Sequence, residues 1–138
     1  MSKRLKPYLF FDGRCEEALA FYAEALSGRA TTIIRMGEAM KDTAPEHANK
    51  IIHALFQAGE VSFMASDGMP GEPAPTGGSV SLALDFDTTE EQERVWDKLV
   101  QGGTGTHPLH DTFYGGRMGV LTDKFGIRWM LNWSPPAK

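Results

Sequence analysis

The chain is written twice, and that constrains its fold more than any other feature. Pro7-Tyr-Leu-Phe-Phe-Asp12, Glu16-Glu-Ala-Leu-Ala-Phe-Tyr22 and Leu26-Ser-Gly28 recur as Ser81-Leu-Ala-Leu-Asp-Phe-Asp87, Glu90-Glu-Gln-Glu-Arg-Val-Trp96 and Val100-Gln-Gly102. Phe11-Asp12 aligns with Phe86-Asp87 at an offset of 75, and Gly28 with Gly102 at an offset of 74. Each copy reads as a strand, an acidic turn, an amphipathic helix and a glycine stop. In the first helix, Leu19, Tyr22 and Leu26 recur at helical spacing, and Ala18, Phe21 and Ala25 widen the stripe. Gly28 stands where a left-handed cap is wanted. In the second helix, Thr88 with Glu91, or Thr89 with Gln92, offers a capping box. Its apolar stripe is Val95, Trp96, Leu99 and Val100.

Strands follow each helix. Thr31 to Arg35 is β-branched, and Ile51 to Gln57 and Val61 to Ser66 flank the turn Ala58-Gly59-Glu60. In the second copy, Arg117 to Thr122 and Ile127 to Trp133 flank Asp123-Lys-Phe-Gly126, and a weaker strand runs over Thr104 to Leu109. The order is therefore βαβββ, twice, which makes the fold class α+β. Gly37 to Asn49 and Asp67 to Gly78 read as loops. The expectation is one domain over 1–138, with module one about 4–67, a linker 68–78 and module two about 79–134.

Composition removes whole classes of function. The 138 residues are 41% hydrophobic and 23% charged, as in an ordinary globular protein. The apolar runs, such as Tyr8 to Phe11, fall far short of the ~20 residues a membrane helix needs. No basic stretch leads into an apolar core at the start, so a cytoplasmic location is expected. The single cysteine, Cys15, forms no internal disulfide and no thiolate metal site alone. The net charge is -4 with scattered basic residues, which is no footprint for nucleic acid or for a membrane surface.

Alternation along each strand separates two faces. Leu5, Pro7, Leu9 and Phe11 are apolar, and Lys6, Tyr8 and Phe10 are mixed. Val80, Leu82, Leu84 and Phe86 are apolar, and Ser79, Ser81, Ala83 and Asp85 are small or polar. Ile127, Trp129, Leu131 and Trp133 are apolar, and Arg128, Met130 and Asn132 are mixed. The apolar faces are expected under the helices. The mixed faces, with a few polar groups among aromatics, suit a small-molecule cleft; solvent or a partner subunit is the plainer alternative.

A doubled βαβββ unit with this punctuation resembles the vicinal oxygen chelate superfamily, which includes glyoxalase I, bleomycin-resistance proteins and extradiol dioxygenases. More narrowly, it resembles the PhnB-type branch. The matching stretches are Pro7-Tyr-Leu-Phe-Phe-Asp-Gly13, Glu17-Ala-Leu-Ala-Phe-Tyr22, Ile51-Ile-His-Ala54, Phe63-Met-Ala-Ser-Asp67 and Met118-Gly-Val-Leu-Thr-Asp-Lys-Phe-Gly-Ile-Arg-Trp-Met-Leu-Asn132. The resemblance implies a curved mixed sheet in each half, the two sheets closing a cleft, and a homodimer. Catalytic members of the superfamily hold a divalent metal with His, Glu or Gln from the first and last strands of each copy. Here those positions fall on Lys6, with Tyr8 beside it, on Ser62, Met64 or Ser66, on Ser81 or Ser79, and on Met130. None is His or Glu, so neither a metal nor any other cofactor is expected. Some PhnB-type proteins carry a methyltransferase label. Gly103-Thr-Gly105 lacks the third glycine and the following helix of a nucleotide loop and gives that label no support.

The remaining candidates divide. His53, in a central strand, has a pKa range suited to a general base or to an anionic ligand; the alternative is a satisfied core histidine. His107, His110 and Asp111 have ligand-type side chains at close spacing, with His47 elsewhere, but solvated loop histidines explain them as well. Cys15 lies beside Glu16 and Glu17, which oppose thiolate formation, and reads as packing. Arg35 and Arg128 suit an anion. The expected function is small-molecule binding on this scaffold without the usual metal ligands. His53 is the candidate catalytic residue, and Tyr8, Phe10, Met64, Arg128, Met130 and Asn132 are the candidate ligand contacts. The alternatives are a lyase or isomerase and a drug-sequestering resistance protein.

Overall fold

Residues 5–68, 80–112 and 115–136 are described by a computed structural model. In chain order the elements are β1 (Tyr8–Phe10), α1 (Cys15–Leu26), β2 (Arg29–Arg35), α2 (Met36–Ala39), a 3-10 turn (Pro45–His47), β3 (Ile51–Ala58) and β4 (Val61–Ser66). There follow β5 (Leu82–Phe86), α3 (Thr89–Leu99), β6 (Thr104–Asp111), β7 (Arg117–Thr122) and β8 (Arg128–Trp133). Two compact units result, the first holding β1 to β4 and the second β5 to β8. Each is a four-stranded mixed sheet, ordered β1-β4-β3-β2 in one and β5-β8-β7-β6 in the other. In both, the first strand runs parallel to the last and the remaining pairs are antiparallel. The duplicated order is as expected, with corrections at two places. Gly37 to Asn49 is no plain loop, since α2 and the 3-10 turn occupy part of it. The weak strand over Thr104 to Leu109 extends to Asp111, so His107 and His110 stand on a strand. The linker 68–78 lies outside the described residues, Gly68 excepted.

In the first unit, α1 buries Cys15, Ala18, Leu19, Tyr22 and Ala25. Tyr22 meets the ring of Phe63 edge-on at 5.6 Å, and Phe63 stacks on Phe56 at 4.8 Å. Asp67, only 6% exposed, organises the start of this helix. Its two oxygens accept from the amides of Cys15 and Ile51, both at 2.8 Å. The carboxylate thus satisfies one of the helix's orphan N–H groups and ties α1 to β3. Burial, with the charges of Asp67 and Glu16 adding to it, pushes the Cys15 thiol up to about 12. Arg35 holds Glu16 through both carboxylate oxygens, at 3.1 and 3.0 Å, and also donates to the carbonyl of Asn49. That hydrogen bond holds the Glu16 carboxyl below its usual range.

In the second unit, Thr88 accepts from the Glu91 amide at 3.2 Å, the expected cap of α3. The buried stripe is Gln92, Val95 and Leu99, while Trp96 and Val100 are half-buried. Gln92 replaces an apolar residue because its Nε2 donates to the carbonyls of Arg117 on β7 and Leu131 on β8. Asp123 is buried in the β7–β8 turn, accepting from the amides of Phe125 and Ile127 and from the indole of Trp129.

The first glycine stop needs correction. Ser27 is the left-handed residue after α1, with φ 57° and ψ 51°. Gly28 is glycine for a different reason, because a Cβ there would lie 2.5 Å from the Gln57 carbonyl and from the Ala58 side chain. Its structural counterpart is Gly103, where a Cβ would lie 2.2 Å from the Thr122 carbonyl. Both glycines press against the end of the third strand of their own sheet, so the alignment carries through at an offset of 75, and Gly102, with φ 76°, matches the left-handed Ser27.

Candidate functional site

Helix α1 covers one face of the first sheet, where Leu9, Phe11, Phe56, Phe63, Ala54 and Ala65 are buried. Strand alternation therefore turns Tyr8 and Phe10 to the other face. The pairing Tyr8↔Met64, Leu55↔Met64 and Thr32↔Leu55 makes one rung across all four strands. The next rung holds Phe10 beside Ser66, and Ile34 beside His53. Tyr8 and Phe10 remain 38% and 37% exposed, which separates this face from the core.

Three rings meet there. Tyr8 and Phe10 stack at 4.8 Å with their planes 9° apart, and His53 stands edge-on to Tyr8 at 5.8 Å. The Tyr8 hydroxyl lies 3.0 Å from His53 Nδ1. This bond has two forms. With the hydroxyl donating, the neutral ring carries its proton on Nε2. With Nδ1–H donating, the hydroxyl proton is turned outward. Either way the pair keeps one donor for a third group. Ser66, 3% exposed, accepts from the Gly68 amide at 2.9 Å and so retains its own proton to donate.

The expected residues thus fall into two sets. Tyr8, Phe10, His53 and Met64 share one face of the first sheet. In the second sheet, Ala83↔Met130, Asp85↔Asn132, Val120↔Met130, Met118↔Asn132 and Thr122↔Arg128 place Arg128, Met130 and Asn132 on the face away from the buried Leu84, Leu121, Trp129 and Leu131. The histidine has no counterpart there, since Met118 stands at the position matching His53. Arg35, weighed as an anion contact, is instead engaged with Glu16 and the Asn49 carbonyl. Sequence reasoning missed Leu55, Thr32 and Ile34 as members of the first face. Two irregularities in the β2–β3 register, between Ala30 and Thr32 and between Ile34 and Arg35, break the alternation that would have placed Thr32 and Ile34.

The residues at the superfamily's metal positions do not fit a divalent ion. Lys6 carries an ammonium, Met64 and Met130 are thioethers, and Ser62, Ser66 and Ser81 are neutral hydroxyls; Ser79 lies outside the described residues. No group of three or more His, Cys, Asp or Glu able to hold a metal occurs among the described residues. His107 and His110 both stand on β6, and His110 Nδ1 already meets the Pro108 carbonyl at 2.8 Å. Gly103-Thr-Gly105 leads into that strand and not into a helix. Its glycines make room for the Thr122 carbonyl and the Trp96 indole, which is a packing role.

The chain matches the family described as 3-demethylubiquinone-9 3-methyltransferase over residues 3–132. It is 33% identical to Protein YjdN of Escherichia coli K12, with 93% of each covered. The solved structure of protein PA1353 from Pseudomonas aeruginosa aligns at TM-score 0.87 and 34% identity, covering 98% of this chain and 100% of that one. A Bacillus cereus structure described as a putative 3-demethylubiquinone-9 3-methyltransferase, PhnB protein, aligns at TM-score 0.79 and 28% identity, covering 96% and 100%. Solved glyoxalase/bleomycin resistance proteins share the fold at 14% and 16% identity, with TM-scores of 0.64 and 0.59.

Proposed function

Because the chain belongs to the family described as 3-demethylubiquinone-9 3-methyltransferase, the PhnB-like branch of the glyoxalase/bleomycin resistance superfamily, we propose a function in small-molecule binding that needs no divalent metal. The observation that carries this reading is the Tyr8–His53 hydrogen bond on a half-exposed face beside Phe10 and Met64. A polar pair with a spare donor among apolar and aromatic side chains is the usual make-up of a ligand site. In the second sheet, Met130 and Asn132 offer the corresponding face, with Arg128 nearby, and two copies of the chain pair as a dimer. The methyl transfer in the family's description draws no support from Gly103-Thr-Gly105.

The test is a thermal-shift screen of small metabolites against the intact chain, Tyr8→Phe and His53→Ala. Ligands that stabilise the native chain and lose most of that effect in both variants support the reading. A screen in which hits are indifferent to both substitutions overturns the placement. Titration with Zn, Ni, Mn, Mg and Fe(II) is expected to leave the melting temperature unchanged, and a stoichiometric metal that raises it contradicts the metal-free reading. A second reading, a lyase or isomerase acting through His53, draws on the same bond, which fixes the imidazole for proton transfer. Turnover whose pH profile vanishes in His53→Ala would favour it.

A further inference from the structure

The strands that carry the Tyr8–His53 pair hold charges of one sign. Lys6 precedes Tyr8 by two residues, on the same side by alternation, and Arg29 pairs with Gln57 two positions beyond Leu55. None of the four strands β1 to β4 carries an aspartate or glutamate. Asp12, two residues beyond Phe10, lies in the turn after β1 with a left-handed backbone, Asp67 is held by the Cys15 and Ile51 amides, and Glu16 is held by Arg35. At the centre, the Tyr8–His53 pair keeps an outward donor in either proton arrangement. Beside it the parallel Tyr8 and Phe10 rings, each more than a third exposed, form a stack.

From these observations, and resting on the binding role proposed above, we infer that the ligand is a planar aromatic anion whose ring extends the Tyr8–Phe10 stack and whose carboxylate or equivalent oxygen group accepts from the Tyr8–His53 pair. The donor discriminates for an acceptor, and the cations beside strands that carry no carboxylate discriminate against a cationic ligand. The flat rings favour stacking over a puckered body.

The test uses three probes that differ only in the head group: 2-naphthoate, 2-naphthamide and 2-naphthylmethylammonium. Each is titrated into the intact chain by calorimetry and by amide chemical shifts. Naphthoate is expected to bind about tenfold tighter than the amide, as a charge-assisted hydrogen bond implies, with the ammonium weakest. Its shifts are expected to centre on Tyr8, Phe10 and His53. Tyr8→Phe, which keeps the ring, is expected to bring naphthoate down to the level of the amide. Equal binding of naphthoate and the amide, or preference for the ammonium, overturns the ligand class and leaves the binding role standing. Three probes that all leave Tyr8, Phe10 and His53 unperturbed overturn both.

Discussion

Cys15 shows how position silences a reactive group. Burial puts its thiol at about 12, while the unfolded chain's thiol ionises near the ordinary value of about 8.5. Between these values the unfolded chain loses a proton that the native chain keeps, so stability falls as pH rises. Melting curves at increasing alkalinity should show that decline, and Cys15→Ala should flatten it. Thiol reagents should label the native chain only at the rate of unfolding. Gly28 and Gly103 are the opposite case, where the missing side chain matters. Alanine at either is expected to cost about 1–3 kcal/mol through overpacking, read by urea titration. Ser27→Gly should stabilise by about 0.5–1 kcal/mol, because serine holds a left-handed conformation that glycine adopts freely.

The two long helices start by different means. Helix α3 is capped by its neighbour Thr88, and that was legible because a capping box is a short pattern. Helix α1 receives its acceptor from Asp67, across 52 residues, and no local pattern announces such a cap. Thr88→Ala is therefore expected to cost about 1 kcal/mol. Asp67→Ala should cost more, about 2–4 kcal/mol, since it strands two buried amides, and chemical denaturation would rank them. The strands were legible for the same reason as the Thr88 cap: alternation is local, and it put Tyr8 and Phe10 on one face before any pairing was known, while Met64 came from the family resemblance. Thr32 and Ile34 escaped because a bulge is set by the partner strand. Gln92 escaped because its burial depends on two carbonyls far along the chain, which periodicity cannot register. The meeting of Tyr8 with His53 was likewise a tertiary fact, resting on the β1–β4–β3 order.

At the level of the whole chain, duplication made the βαβββ order readable, and divergence between the copies made the candidate site hard to read. The frame is repeated, but the Tyr–His pair occurs in one copy, and Ala83 and Met118 stand at the matching positions of the other. Substitutions at Ala83 or Met118 are expected to leave ligand affinity far less changed than Tyr8→Phe or His53→Ala, which a common titration can compare. The same divergence gives the chain a natural optical label. All three tryptophans, at 96, 129 and 133, belong to the second copy, where Trp96 fills the space left by Gly105 and Gly119 and Trp129 is held by Asp123. Indole emission therefore reports on one copy alone, while far-ultraviolet dichroism sees both. If the two signals melt together the halves form one cooperative unit, and if they separate, each copy keeps the independence that its own sheet and helix would allow.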